Sequence, residues 1–255
     1  MADTGTAGES PQNFTAGVFL VDKPLGATSF SMVRHVRRLL RIKKVGHAGT
    51  LDPFATGLLI ICAGRPATRM IERFMAGRKV YSAVLELGVE TTTMDPEGQV
   101  VATKTVPALA RKSIEECLAG FVGRTMQTPP PYSAVKYMGK PLYHYARKGI
   151  AVYKEPREIE IYSIGFGGFD AETNRLAFDI TCSRGTYIRV LASDIGKELG
   201  CGAHLVGLRR LASGGFSVSE GLSGDKLTEP DGLDELRKKM IPIEQALAVH
   251  QEKNM

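Results

Sequence analysis

The segment Gly46-His47-Ala48-Gly49-Thr50-Leu51-Asp52-Pro53-Phe54-Ala55-Thr56-Gly57-Leu58-Leu59 sets one acid and one imidazole among small and apolar residues. A carboxylate so placed can serve as a general base or as a nucleophile. A lone acid argues against ordinary glycoside hydrolysis, which pairs two carboxylates. Glycines 46, 49 and 57 permit tight turns and close approach of a ligand. Pro53 stiffens the chain just after the acid. On residue types alone, an ordinary Asp-Pro turn fits as well as a working acid. Two further stretches carry chemistry. Lys79-Val80-Tyr81-Ser82-Ala83-Val84-Leu85-Glu86-Leu87-Gly88 holds a tyrosine, and Cys182-Ser183-Arg184-Gly185-Thr186-Tyr187-Ile188-Arg189 holds a tyrosine and an arginine. Taken singly, these read as core tyrosines and a surface ion pair.

The surrounding elements must position them. Gly17 to Val21 reads as a strand, with a turn over Asp22 to Gly26. Thr28 or Ser29 can cap a helix in which Met32, Val33, Val36, Leu39 and Leu40 form the buried face. Its other face carries Arg34, Arg37, Arg38 and Arg41, with Lys43 and Lys44 beyond, and is either solvated or a phosphate contact. Leu58 to Ala63 is apolar throughout and reads as a buried strand. Arg65 to Ala76 is expected to be a helix, and Lys79 to Gly88 a strand with Tyr81, Ala83, Leu85 and Leu87 on one face. Thr91 to Gly98 reads as a polar turn, Gln99 to Val106 as a strand, and Lys112 to Phe121 as an amphipathic helix. The prolines of Gln127 to Lys136 force an extended path, followed by a short helix from Pro141 to Lys148. This segment is rich in tyrosines and cations and reads as an RNA grip or as a rigid connector. Strands over Arg157 to Phe166 and Arg175 to Cys182, a helix from Val190 to Leu199, a strand from Gly202 to Leu211 and a helix from Asp231 to Met240 complete the chain.

Of 255 residues, 43% are hydrophobic, enough for a sizeable core. Lys and Arg outnumber Asp and Glu by 33 to 27, which suits a polyanionic partner without requiring one. Cys62, Cys117, Cys182 and Cys201 lack CxxC spacing and read as free thiols in a reducing compartment. No zinc, Walker or dinucleotide fingerprint is present. No apolar run approaches the roughly 18 residues of a membrane span. Residues 1–14 are expected to be a disordered tail, in which the protease-like triplet Asp3-Thr4-Gly5 is a chance match. A cytoplasmic protein is expected.

Together the three motifs resemble, in order, those of the TruB family of tRNA pseudouridine synthases, over roughly residues 15 to 248. The resemblance implies an α+β fold with a mixed, mainly antiparallel sheet, flanking helices and a central RNA-binding cleft. It implies isomerisation of uridine to pseudouridine at position 55 in the TΨC loop of tRNA. That reaction breaks C1′–N1, turns the base and joins C5 to C1′, so it needs no cofactor or metal. The target base must be swung out of the RNA. The implied catalytic residue is Asp52. The implied substrate contacts are His47, Tyr81 packed on the base, Tyr187, Leu208 lining the uracil pocket, and Arg189, which would hold Asp52 ionised and oriented. Arg209 and Arg210 are candidates for RNA phosphates. One catalytic domain over 15–250 and a tail over 251–255 are expected. The PUA domain common in bacterial relatives is expected to be absent or removed, since only thirteen residues follow Pro242. The protein is expected to act alone as a monomer on the TΨC stem-loop. Competing expectations are an RNA-binding or RNA-folding protein without catalysis, a base-releasing N-glycosylase, and a synthase acting on another RNA.

Overall fold

The structure, a computed structural model, describes residues 14–252. The expected N-terminal tail up to residue 13, with its Asp3-Thr4-Gly5 triplet, lies outside the described residues, as do residues 253–255. Strand β1 (Gly17–Lys23) includes Asp22 and Lys23, which the sequence places in a turn. They stay extended because Asp22 pairs with Leu58 on one edge and Ser223 on the other, and Lys23 with Gly57. Helix α1 (Ser29–Leu40) is capped by Thr28, whose hydroxyl oxygen accepts from the Ser31 amide at 2.9 Å. Met32, Val33, Val36 and Leu40 form its buried stripe. Arg34, Arg38, Arg41, Lys43 and Lys44 are exposed and Arg37 is half-buried. Strands β2 (Val45–Ala48) and β3 (Thr56–Ala63) form a hairpin, and the Asp52 segment is its loop.

The helix expected from Arg65 to Ala76 is two short ones, α2 (Arg65–Thr68) and α3 (Ile71–Met75). The break falls where the Met70 amide bonds back only three residues, to the Ala67 carbonyl. Strand β4 (Lys79–Leu87) buries Tyr81, Ala83, Leu85 and Leu87, as alternation demands. A small hairpin of β5 (Val89–Thr91) and β6 (Val100–Thr103) follows, then α4 (Arg111–Ala119) and β7 (Gly123–Gln127). The proline-rich stretch leads into β8 (Lys136–Tyr137), β9 (Lys140–Pro141) and α5 (Leu142–Ala146). Strands β10 (Arg157–Asp170) and β11 (Arg175–Cys182) precede α6 (Ile188–Glu198). Then come β12 (Ala203–Ser213), β13 (Phe216–Ser217), β14 (Leu222–Ser223) and α7 (Gly232–Lys238). A last helix, α8 (Ile243–Glu252), was not expected; it takes in residues 251 and 252 of the anticipated tail.

Ten strands make one sheet in the order β14-β1-β3-β12-β4-β11-β10-β7, with β2 on β3 and β13 on β12. Among the described residues only β1–β14 and β3–β12 pair in parallel. The sheet is therefore mixed and mainly antiparallel, with helices packed on it. β3 occupies one edge with β1 along its length. On the other edge it gives Thr56 and Gly57 to β12 and Ile60 to Ala63 to β2. The Asp52 loop leaves the sheet at that fork. β3 is buried on both faces. Leu59, Ile61 and Ala63 pack with α1, and Leu58, Ile60 and Cys62 with Phe74 of α3 and Ala246 of α8. Leu51 and Ala55 of the loop instead join the core built on β4, β10, β11, α4 and α6. The loop is thus anchored in both halves of the molecule. Among the described residues no helix is long and apolar enough to cross a membrane.

Gly57 sits at the fork with φ +101°, and a Cβ there would lie 2.3 Å from the Arg210 carbonyl oxygen. Gly57→Ala adds left-handed strain to a backbone clash. It should cost roughly 3 kcal/mol or more, read as a lower urea midpoint.

Candidate active site

Asp52 lies between two immobilised neighbours. The Ser29 hydroxyl donates to the Leu51 carbonyl at 3.0 Å and accepts from the Leu51 amide at 2.9 Å. It is Thr28, not Ser29, that caps α1, which leaves Ser29 for this clamp. The Pro53 carbonyl accepts from the Gly26 amide at 2.9 Å and from Lys23 Nζ at 3.3 Å. Lys23 is wholly buried and also donates to the Pro24 and Ala27 carbonyls, at 3.0 and 2.6 Å. Its ammonium is met by carbonyl dipoles and, among the described residues, by no salt bridge. Burial lowers its pKa to about 8, with the nearby Asp52 charge opposing the shift.

Arg189 stands in the first turn of α6 and is 4% exposed. Its Nε meets Asp52 Oδ2 at 3.0 Å and its Nη1 meets Asp95 Oδ2 at 2.8 Å. Nη1 also donates to the Thr93 carbonyl at 3.0 Å, and Nη2 to the Tyr132 carbonyl at 2.8 Å. Asp95 is fixed in turn, accepting from Thr93 Oγ1 and from the Glu97 amide. The Asp95 main chain is bracketed by the Thr91 hydroxyl, which donates to its carbonyl at 2.8 Å and accepts from its amide at 3.1 Å. One guanidinium thus serves two carboxylates. Asp52 is the more open of the two, its side chain 35% exposed against 3% for Asp95. Burial pushes the Asp52 carboxyl above its ordinary range; Arg189 and Lys23 pull it down and Asp95 pushes it further up. The Arg189 charge favours the ionised acid, and loss of solvent outweighs it, so the acid titrates above its ordinary range.

Asp52 and Arg189 open on a cleft of about 530 Å³ that Tyr81, Tyr187 and Leu208 also line. Tyr81 is 8% exposed; burial pushes its phenol up and the Arg210 guanidinium beside it pulls the other way. Tyr187 precedes the first turn of α6. The Gln127 side chain grips its main chain, donating to the carbonyl at 3.1 Å and accepting from the amide at 2.7 Å. His47 is not brought among the residues lining this cleft. It lies half-buried on β2, its Nδ1 buried without a partner, and burial lowers its pKa, with Arg210 adding to the effect. Lys79 lines the cleft but donates to the carbonyls of Met75, Ala76 and Gly77, at 3.0 to 3.1 Å, closing the end of α3. Burial lowers its pKa to about 8.

One expected phosphate contact is corrected: Arg210 is buried and ties the loop to β3, donating to the Leu58 carbonyl at 2.7 Å and the Gly49 carbonyl at 3.1 Å. Arg209 pairs both ends of its fork with Asp22, at 3.0 and 2.7 Å, and its side chain stays partly exposed. Asp95, Lys23, Ser29 and Gln127 are supporting residues that sequence reasoning did not assign. Asp95-Pro96 carried a signal in hindsight: it repeats the Asp-Pro pair of the motif within a run of threonines.

In fold, the chain is similar to a crystal structure of a Cbf5–Nop10–Gar1 complex, with a TM-score of 0.68 and 28% identity over 92% of this chain and 62% of that one. It is likewise similar to an H/ACA RNP bound to a substrate RNA containing 2′-deoxyuridine, with a TM-score of 0.66 and 25% identity over 92% of this chain and 61% of that one. In sequence it is 56% identical to the tRNA pseudouridine synthase B of Desulfotalea psychrophila, over 91% of this chain and 96% of that protein. The model of the N-terminal domain of TruB family pseudouridylate synthases matches residues 37–188. That of the tRNA pseudouridylate synthase B C-terminal domain matches residues 189–248. The chain belongs to the TruB family of pseudouridylate synthases. The two matches meet at Arg189, yet β12 from the second pairs with β3 and β4 from the first, so one sheet spans both.

The two carboxylates should respond oppositely to neutralisation. Asp95→Asn removes a buried partner of Arg189 and should cost roughly 3 kcal/mol. Asp52→Asn should raise the melting temperature at neutral pH, because a carboxyl with a raised pKa is less stable ionised in the folded state. That gain should vanish as pH falls below the ordinary aspartate value of 3.8, where Asp52 is protonated folded or unfolded. Melting curves of both variants between pH 3 and 7 check this.

Proposed function

We propose that this protein isomerises uridine to pseudouridine in tRNA, at position 55 of the TΨC loop, with Asp52 as the catalytic residue. The observation that carries the reading is an acid gripped by a buried arginine at the mouth of a cleft walled by two tyrosines, in a chain of this family. Binding alone has no use for a carboxylate turned toward a polyanion. The 56% identity with a named tRNA pseudouridine synthase B favours tRNA over other RNAs as the substrate.

The parts divide the work by position. The exposed cations of α1 adjoin the motif loop and suit phosphates, while the tyrosine-rich segment around α5 suits the RNA loop. A uridine swung out of the stack enters the cleft, at a cost of a few kcal/mol offset by stacking and phosphate contacts. Tyr81 offers the flat ring on which the base stacks, and Leu208 and Tyr187 close the pocket. His47, outside the cleft and neutral at pH 7, takes the place that the base vacates. Asp52 acts at the sugar, either on C1′ as a nucleophile or on the C2′ proton as a base. The C1′–N1 bond breaks, the ring turns within the closed pocket, and C5 joins C1′; the C5 proton leaves and N1, freed from the sugar, takes up a proton from water. The product is an isomer of the substrate.

Incubation with an unmodified tRNA transcript should place one pseudouridine at position 55 with no change in RNA mass. Loss of a base would lower the mass and mark a glycosylase. Asp52→Asn should abolish tritium release from C5-labelled uridine with RNA binding nearly unchanged. Arg189→Lys keeps the charge but loses the planar fork, and should lower the rate by about a hundredfold or more. Only the ionised acid is active, so the rate should rise with pH along a limb centred above 3.8, where an ordinary aspartate would place it.

A further inference from the structure

Five cations line the cleft: Lys79, Arg157, Arg184, Arg189 and Arg210. Three are committed to the protein. Lys79 and Arg210 end on main-chain carbonyls, and Arg189 is divided between two acids and two carbonyls. Arg157 and Arg184 are exposed, and Arg157 is followed by Glu158, an acid on the same cleft. Arg184 faces Glu72 of α3 instead. Its Nη2 stands 3.9 Å from Glu72 Oε2, beyond hydrogen-bond reach, with the two side chains 56% and 78% exposed. Water and salt screen a pair of that kind, so it holds the arginine weakly.

The main chain that carries Arg184 is fixed. The Ser183 amide donates to the Glu160 carbonyl at 2.8 Å, and the Ser183 hydroxyl accepts from the Glu160 amide at 2.9 Å. The Thr186 hydroxyl donates to the Ser183 carbonyl at 3.0 Å, and Gly185, at φ +84°, makes the turn between them. A rigid stem thus carries a loosely held guanidinium on the wall of a cleft that must admit a nucleotide. A nucleotide drawn from a chain brings a phosphate on each side of its sugar, and a guanidinium fork matches phosphate oxygens.

We propose that Arg184 is the phosphate anchor of the cleft: when RNA binds, its guanidinium leaves Glu72 and takes a phosphate beside the swung-out uridine, so that Glu72 competes with the substrate. The inference rests on the pseudouridine synthase reading and adds to it an anchor and a rival acid to which no role has been given. The contact is made before and during reaction alike, so it acts on binding rather than on the saturated rate.

The test measures binding and single-turnover tritium release on a TΨC stem-loop with C5-labelled uridine, over a range of salt. Arg184→Gln should weaken binding about tenfold at low salt and lower the slope of log affinity against log salt by about 0.7 to 0.9, one phosphate contact. Its saturated rate should stay within about threefold of the parent. Arg184→Lys, which keeps the charge, should restore the slope. Glu72→Gln should tighten binding about threefold in the parent and by less than about 1.5-fold beside Arg184→Gln. Replacing the phosphate on one side of the target by an uncharged methylphosphonate should cost the parent as much as Arg184→Gln does and cost that variant nothing further. With an active parent, the inference alone is overturned by an unchanged salt slope in Arg184→Gln, by an equal gain from Glu72→Gln in both backgrounds, or by methylphosphonates that add their full cost to Arg184→Gln on either side. A parent that releases no tritium overturns the functional reading and this inference together.

Discussion

The whole site depends on one guanidinium divided between two carboxylates. Buried charge is tolerated when it is paired and fully hydrogen-bonded. Arg189 meets that condition with Asp95, Thr93 and Tyr132, and its Nε stands 3.0 Å from Asp52 Oδ2. Asp95 is therefore the structural counter-ion, and Asp52 is aimed by an arginine that other groups already hold. The acid keeps the arginine beside it without being locked into a symmetric ion pair, and burial, which outweighs that charge, leaves it titrating above its usual range.

Everything around this interaction restricts motion. Four main-chain clamps converge on the site: Ser29 on Leu51, Gly26 and Lys23 on Pro53, Gln127 on Tyr187, and Arg210 on Gly49. They come from elements distant in sequence, so the loop's position depends on the completed sheet. The hairpin loop leaves β3 where that strand changes partner from β12 to β2. Leu51 and Ala55 plug into the core of the other half. A loop anchored at a fork in a sheet has little freedom even though it carries no regular structure.

What the sequence displayed and what it hid follow from the range of the interactions. The apolar run of β3, the alternation of Tyr81 to Leu87 and the stripe of α1 are periodic, and the structure carries each as expected. The Asp52 segment was legible because three glycines, a proline and an acid leave few folds for a short loop. Its pairing with Arg189 was reached through resemblance to a family, since a contact between residues so far apart leaves no local trace. The same reason hid Asp95, whose threonine-rich setting looks like any polar turn. Gln127 looked like the start of a proline-rich extended path. Arg210 looked like a phosphate contact because a sequence shows the charge and not the carbonyls that surround it. The helix expected from Arg65 to Ala76 failed differently: its apolar spacing is helical, but the chain bends at Met70.

Lys23 and Lys79 share an unusual arrangement, each ammonium ending on three main-chain carbonyls and on no salt-bridging acid among the described residues. Backbone dipoles cannot dissociate or exchange with dissolved ions, and both lysines are beyond the reach of the ionic atmosphere. The buried cations beside the cleft are therefore held by the folded backbone, which salt does not strip away.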